Sequence, residues 1–251
     1  MRLKFNKEIE FFFKKFFFPE GFLLKRRLQR SIKRNDEQEI NLVKKFIKSG
    51  TDSIDVGVYR GVYSYEMSKY SEKVHSFEPN PIIFKYINKN LKKFIKNIHL
   101  YNFALSNQNK TINLKIPIRN SNSNKEIFEE YYEMGKATIH NENNFENYEN
   151  FEIQTKKIDE LNFDNKISFI KIDVEGHELE VIEGAKNTIK RDKPVLLVEI
   201  EKQYTKKEVA ESINFINSLG YKSYFFNKKD LKSTTELNNL DLFNNFIFFP
   251  K

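Results

Sequence analysis

The chain has no cysteine among its 251 residues. Disulfides and thiolate-held metals are therefore excluded outright, and a reducing, cytoplasmic setting is expected. No apolar run reaches the roughly 18–20 residues that cross a bilayer. A secretory leader is not expected either, because Lys14 and Lys15 interrupt the first Phe clusters and no small-residue cleavage site follows. Histidine is scarce, at positions 75, 99, 140 and 177 only, so candidates for a general base are few. An excess of positive charge is also missing from most of the chain, although the net charge is +8. Residues 1–34 hold 11 Lys/Arg against 3 Asp/Glu, and the remainder holds 32 of each. The body has nothing to draw a polyanion, and no nucleic-acid partner is expected.

Residues 1–50 form a basic, Phe-rich segment expected to be helical. In "FFFKKFFFPEGFLLKRRLQRSIKR" the Phe face has two readings. It packs on the domain or on a second copy as a homodimer contact, or it docks on an anionic membrane surface and places the protein at the inner face of the membrane. "NDEQEINLVKKFIKSG" adds a helix start at Asn35 or Asp36 and a stop at Gly50.

From residue 51 to 251 short apolar runs alternate with helical patterns. The runs are "SIDVGV", "KVHSFEP", "IHLYNFAL", "ISFIKIDV" and "PVLLVEI", with helices expected over Tyr63–Tyr70, Ile82–Phe94 and Leu179–Lys190. This rhythm predicts an α/β fold with a mostly parallel sheet covered on both faces. The tail, from Gly220, reads as a closing antiparallel hairpin around a polar linker. An Asn- and Glu-rich insertion at about 117–150 breaks the pattern. Its Tyr131, Tyr132 and Lys136 suit a lid over an acceptor, and equally suit a poorly ordered polar loop.

Ligands of an open parallel sheet sit beyond the carboxyl ends of its strands. There the chain places Asp55 with Gly57 and Gly61, then Glu78, then Asn102 and Asn107. Asp173, Glu175 and His177 follow the fourth strand, and Glu199 and Glu201 the fifth. A carboxylate after the second strand suits a ribose diol, since its two oxygens accept from both hydroxyls. A dinucleotide pyrophosphate wants G-x-G-x-x-G and a helix N-terminus. Here the corner is G-x-x-x-G with a carboxylate two residues ahead, which repels phosphate. S-adenosylmethionine, with its ammonium, sulfonium and ribose, suits the acid better than NAD does.

The runs "DVGVYRGVYSY", "FEPNP", "NFALSN", "IKIDVEGHELEVIEGA" and "LLVEIE", from about Ile54 to Glu201, resemble the FkbM family of S-adenosylmethionine-dependent methyltransferases. "FEIQTKKIDEL" resembles the strand and turn that family places before its fourth-strand motif. The resemblance implies a class I methyltransferase fold, a Rossmann-like three-layer sandwich around a seven-stranded sheet with one antiparallel strand. It also implies O-methylation of a sugar or glycosylated product. A nucleotide-linked hexose or heptose for surface polysaccharide or capsule fits, as does a lipid-linked sugar. By that likeness Asp55, Gly57, Tyr59, Gly61, Glu78, Pro79, Asn102, Ala104 and Asp173 hold the cofactor, while Asp173 to His177 face the acceptor. One departure stands out: Val58-Tyr59 lies between the glycines where the family usually has Ala-Asn, which alters the methionine end of the pocket.

A sugar hydroxyl needs a base, a metal or both. His177 is the expected base, with Asp173 beside it. Asp173 and Glu199 end neighbouring strands, and two converging carboxylates repel unless they share a proton or meet a cation. A divalent ion (Mg, Mn or Fe) held by this pair is one resolution. The plain alternative has Glu199 bonding backbone amides and Asp173 capping a helix. Leu179, Val181, Ile182 and Ala185 should line a buried helix face, Gly176 and Gly184 should permit close packing, and Glu178 and Glu180 should face solvent. Two other functions compete: an NAD-dependent oxidoreductase, and a non-catalytic binding module or partner subunit that keeps the fold.

Overall fold

The computed structural model describes residues 18–117, 137 and 147–251, except 203, 205–207, 228 and 238. Residues 1–17 and the lid candidates Tyr131, Tyr132 and Lys136 lie outside the described residues.

The strands in chain order are β1 (Asp52–Val56), β2 (Val74–Phe77), β3 (Ile98–Tyr101), β4 (Ala104–Leu105), β5 (Lys110–Pro117) and β6 (Tyr148–Lys156). They continue as β7 (Ile167–Ile172), β8 (Val195–Glu199), β9 (Tyr221–Phe226), β10 (Leu231–Ser233) and β11 (Asn245–Pro250). The main sheet runs β3-β2-β1-β7-β8-β11-β9-β10. Its first five strands are mutually parallel, and β11 lies antiparallel to both β8 and β9. The expected count of seven becomes eight because the polar linker of the tail supplies β10. The Asn227 side chain accepts from the Lys229 and Asp230 amides and turns the chain back onto β9. "IHLYNFAL" also divides: β4 leaves the main sheet for a smaller one, β4-β6-β5, whose two long strands flank the insertion.

Strand order reverses between β1 and β7, the place where an open sheet leaves a crevice. Both strands are buried along their whole length, as strands covered on two faces must be. One face packs Ile54, Val56, Ile170 and Ile172 on Val181, Ile182, Ile189 and Ile213. The other packs Phe169 and Leu197 on Val43, Phe46, Tyr63 and Met67. That second face also carries the alternate residues Asp55 and Lys171, so a polar seam runs through it.

Helix boundaries follow local chemistry. Pro81–Asn90 starts where Asn80 accepts from the Ile82 and Ile83 amides, with Pro at the first helical position. The expected helix over Leu179–Lys190 is two, Glu178–Glu183 and Lys186–Asp192. They part at Gly184, where the Ser106 carbonyl oxygen occupies the place of a Cβ. Asp159 then caps the second by accepting from the Asn187 and Thr188 amides. In the N-terminal segment Glu20–Arg34 is helical, and Leu24 and Leu28 pack on Val58, Ile83, Ile87 and Leu91. No helix among the described residues is long and apolar enough to cross a membrane.

Candidate cofactor and acceptor site

The first corner is built by backbone contacts. Gly57 has φ +81°, and a Cβ there would lie 1.8 Å from the Asp173 carbonyl oxygen, so the tips of β1 and β7 close on each other only through glycine. The Asp173 amide donates to the Val56 carbonyl at 3.1 Å and the Gly57 amide to that of Phe77 at 3.0 Å. Tyr59 adopts a left-handed φ of +49°, uncommon outside glycine. That turn aims its amide at Glu78 Oε2, 2.9 Å away, while the Asn80 amide meets Oε1 at 2.9 Å. The Tyr59 ring stays exposed, with the Arg60 guanidinium 4.9 Å above it. Gly61 begins the helix Val62–Met67.

Glu78 is 5% exposed. Burial pushes its carboxyl up to about 7 against the pull of the two amides. Each oxygen holds one backbone donor and keeps a lone pair in reserve, which fits a ribose diol. Asn102 donates to the backbone oxygens of Glu78 and Pro79, at 2.9 and 3.1 Å, and so fixes that strand end. Asn107 donates instead to Glu183 Oε2 at 2.7 Å. Pro79 is half-buried, and Ala104 packs in the small sheet with Leu114, Ile116 and Ile153.

Asp55 lies beneath the corner, 1% exposed. Its Oδ2 accepts from Ser64 Oγ at 2.5 Å, and its buried Oδ1 has no hydrogen-bond partner among the described residues. Burial raises this carboxyl to about 6, opposed by the charge of Lys171. Lys171 is the residue the strand-end reading missed. Its Nζ donates to Asp173 Oδ2 at 2.9 Å and to the Gly57 carbonyl at 3.3 Å, and lies 5.2 Å from the centre of the Tyr63 ring. Burial opposes the ammonium, but Asp173, Asp55 and Glu37 outweigh it and hold its pKa above the ordinary range. The signal was present: a lysine inside the otherwise apolar "ISFIKIDV" must have a buried counter-charge. Glu37 was missed as well, since nothing in its own segment ties it to the strand ends.

Asp173 and Glu199 do come together. Burial and the Asp173 charge drive the Glu199 pKa upward, so the pair meets its repulsion by keeping a proton on Glu199. Lys171 supplies the compensating charge on the other side of Asp173. Among the described residues no group of three or more His, Asp or Glu is placed to hold a metal ion, so the metal expectation gains no support from this arrangement.

After β7 the chain makes a tight turn. Glu175 has φ +54°, and its carboxyl is raised to about 8 by burial and by Asp173, Glu201 and Glu178. Gly176 lets the Tyr204 carbonyl oxygen come within 2.3 Å of a Cβ position. His177 is 8% exposed; its Nε2 is 2.9 Å from Ser106 Oγ and its Nδ1 is 3.5 Å from Glu180 Oε2. Of the others, His75 is buried against Asp52 at 3.0 Å and His140 lies outside the described residues.

Glu178 corrects the expectation that it faces solvent. It is 5% exposed, and its Oε1 accepts from the Val174 and Gly176 amides at 3.2 and 3.0 Å. Burial raises its carboxyl to about 7. A raised carboxyl stabilises the fold below its unfolded value and loses that contribution as pH climbs through the folded one. Glu178→Gln keeps an oxygen for both amides and cannot ionise. It should therefore lose less stability than the parent between pH 5 and 8, by on the order of 3 kcal/mol. Urea unfolding at the two pH values reads this, and parallel losses in both proteins would refute it.

The FkbM methyltransferase domain matches residues 55–223. The fold is shared with an FkbM methyltransferase of Methylobacillus flagellatus KT, at 18% identity and a TM-score of 0.51. The match covers 80% of this chain and 43% of that one, so the chain spans less than half the length of that relative. A Streptococcus mutans protein provisionally assigned as a methyltransferase, solved in complex with SAH, aligns at 12% identity and TM-score 0.49 over 86% of this chain and 96% of its own. A SAM-dependent O-methyltransferase of Thermotoga maritima aligns at 13% and 0.44, over 89% and 71%. No curated protein gives a significant match. The architecture is the Rossmann-like class I methyltransferase sandwich. The domain match begins at Asp55, takes in the glycine corner, Glu78 and the Lys171–Glu199 tips, and extends over two thirds of the residues; the chain belongs to the FkbM methyltransferase family.

Proposed function

We propose that the protein is an S-adenosylmethionine-dependent O-methyltransferase acting on a sugar hydroxyl, with a nucleotide-linked hexose or heptose for surface polysaccharide as the first acceptor class. The supporting observation is the carboxyl-rich lining of the crevice, with no anion-binding glycine loop beside it among the described residues. Asp55, Glu78, Asp173, Glu175 and Glu199 converge on it, with Lys171 as the buried cation among them. Such a lining suits a cationic, phosphate-free cofactor and disfavours the pyrophosphate of NAD.

S-adenosylmethionine, when bound, supplies an electrophilic methyl group. Glu78 has a lone pair on each oxygen for the ribose hydroxyls. Asp55, with its unpartnered Oδ1, and the Gly57–Gly61 corner suit the methionine end. Methyl transfer is an in-line displacement, so positioning supplies much of the rate. Asp173 and His177 are the candidates to take the hydroxyl proton. Asp173 is the better placed, because a third of its side chain is exposed while His177 is buried with Nε2 on Ser106. His177 then acts through the turn it anchors.

Calorimetry with S-adenosylhomocysteine and, separately, NADH tests the cofactor. Binding of NADH alone would move the protein to the oxidoreductases, and binding of neither would leave a non-catalytic module. In a sugar-nucleotide assay Asp173→Asn should lower kcat on the order of a hundredfold with little change in cofactor affinity. His177→Ala should cost about tenfold or less. The reverse order would make His177 the base.

A further inference from the structure

The helix Glu20–Arg34 has two faces that do different work. Leu24 and Leu28 are buried against Val58, inside the glycine corner, and against Ile83, Ile87 and Leu91 behind it. A Glu20–Lys89 ion pair at 2.9 Å fixes its start, and Gly21 lets it lie close to Lys93 and Asn90. The remaining surface exposes Arg26, Arg27, Arg30, Lys33 and Arg34. Phe18 and Phe22 stand exposed at the same helix's start, their rings stacked at 5.3 Å, with the Arg26 guanidinium 5.8 Å over Phe22. Within the helix itself the sole acidic residue is Glu20.

We propose that this face docks on an anionic lipid surface and so holds the cofactor corner beside the membrane. Charge complementarity selects the occupant. Arg26, Arg27, Arg30 and Lys33, beside an Arg34 that pairs with Asp36 at 2.8 Å, match a sheet of lipid phosphates, and two exposed phenylalanines are what inserts between headgroups. The sequence immediately upstream continues the chemistry, with six Phe and five Lys/Arg against two Glu over residues 1–17. A second copy of the same helix would bring these cations against one another. Nucleic acid fits less well, since the body of the chain has no cationic excess to extend the track. Because Leu28 and Val58 share one packed cluster, the docked helix is mechanically part of the corner and not a tether.

The test uses the full chain and sedimentation with vesicles of phosphatidylglycerol and phosphatidylcholine, beside vesicles of phosphatidylcholine alone. Binding to the anionic vesicles only, weakened by salt, is expected. Arg26→Gln with Arg30→Gln should weaken it on the order of twentyfold, at about one charge's worth of surface attraction per residue. Both side chains are exposed, so an unchanged circular dichroism spectrum and unchanged S-adenosylhomocysteine affinity should accompany the loss. Phe18→Ser with Phe22→Ser should weaken binding without altering its salt dependence. Equal sedimentation with both lipids, or none with either, would overturn the proposal. Full binding by the double Arg variant would assign docking to residues 1–17 and overturn it for the helix. A dimer by equilibrium ultracentrifugation, dissociated by the same Arg changes and indifferent to vesicles, would give the face to a second copy.

Discussion

Lys171→Met should destabilise the protein by about 3–5 kcal/mol at pH 8, and by clearly less at pH 5. Methionine keeps an unbranched apolar stem of similar reach, so the packing beside Tyr63 is largely preserved. What disappears is the ammonium that bonds Asp173 and the Gly57 carbonyl and lowers the energy of ionised Asp55. Breaking one side of a buried pair leaves the partner charge uncompensated, which costs far more than the pair was worth. The pH dependence follows from the sign of the carboxyl shifts. Asp55 is already raised to about 6 with Lys171 present, and Glu199 is raised too. Without the lysine, the folded state holds those protons more tightly still. The variant therefore keeps its stability below the unfolded carboxylate range and loses it as pH rises through the folded values. Urea unfolding of parent and variant at pH 5 and 8 measures the gap. A gap that stays constant would show that the carboxyl titrations do not carry the loss, and one below about 1 kcal/mol that the buried pair contributes little. Adding Asp55→Asn to the variant should recover part of the loss at pH 8, because the two charges share one environment.

The fold was legible because its signals are local and repeated. Alternating apolar runs and helical patterns give the parallel sheet, and a carboxylate or glycine at each strand end marks the edge where ligands sit. The extra strand β10 was hidden in a polar linker, where pairing depends on the Asn227 turn and on β9 being available as an edge. The glycine corner could be read, but not its partner: only the folded chain shows that Gly57 is demanded by the Asp173 carbonyl 116 residues away. Lys171 was passed over and Glu178 was placed in solvent for one shared reason. Both are charged residues whose burial is set by neighbours distant in space, and residue type alone assigns such groups to solvent. His177 was singled out among acids by sequence adjacency, whereas its ring meets Ser106, reached only through the β4 loop.

Gly57→Ala should abolish cofactor binding and cost about 4 kcal/mol or more, and two other glycines make the reason separable. Gly50, Gly57 and Gly61 have nearly the same φ, +73°, +81° and +82°. The left-handed penalty for a Cβ is therefore shared, at about 1 kcal/mol each. What differs is the space. An alanine at 50 meets nothing within 4 Å; at 61 it meets Leu91 Cδ1 at 2.7 Å, the far end of a side chain that can turn aside. At 57 it meets a backbone carbonyl at 1.8 Å, and the carbon of that carbonyl at 3.0 Å. That carbonyl cannot move alone, because the Asp173 amide is bonded to Val56 and the Asp173 carboxylate to Lys171. Relief means prising β1 from β7 at the switch point, which shifts Asp55, Lys171 and Asp173 together. The expected order of loss is Gly50 below Gly61 below Gly57, with S-adenosylhomocysteine binding lost only in the last. Thermal unfolding and calorimetry on the three alanine variants decide it. Equal destabilisation at all three positions would mean that φ alone demands these glycines and that the contact between the two strand tips is dispensable.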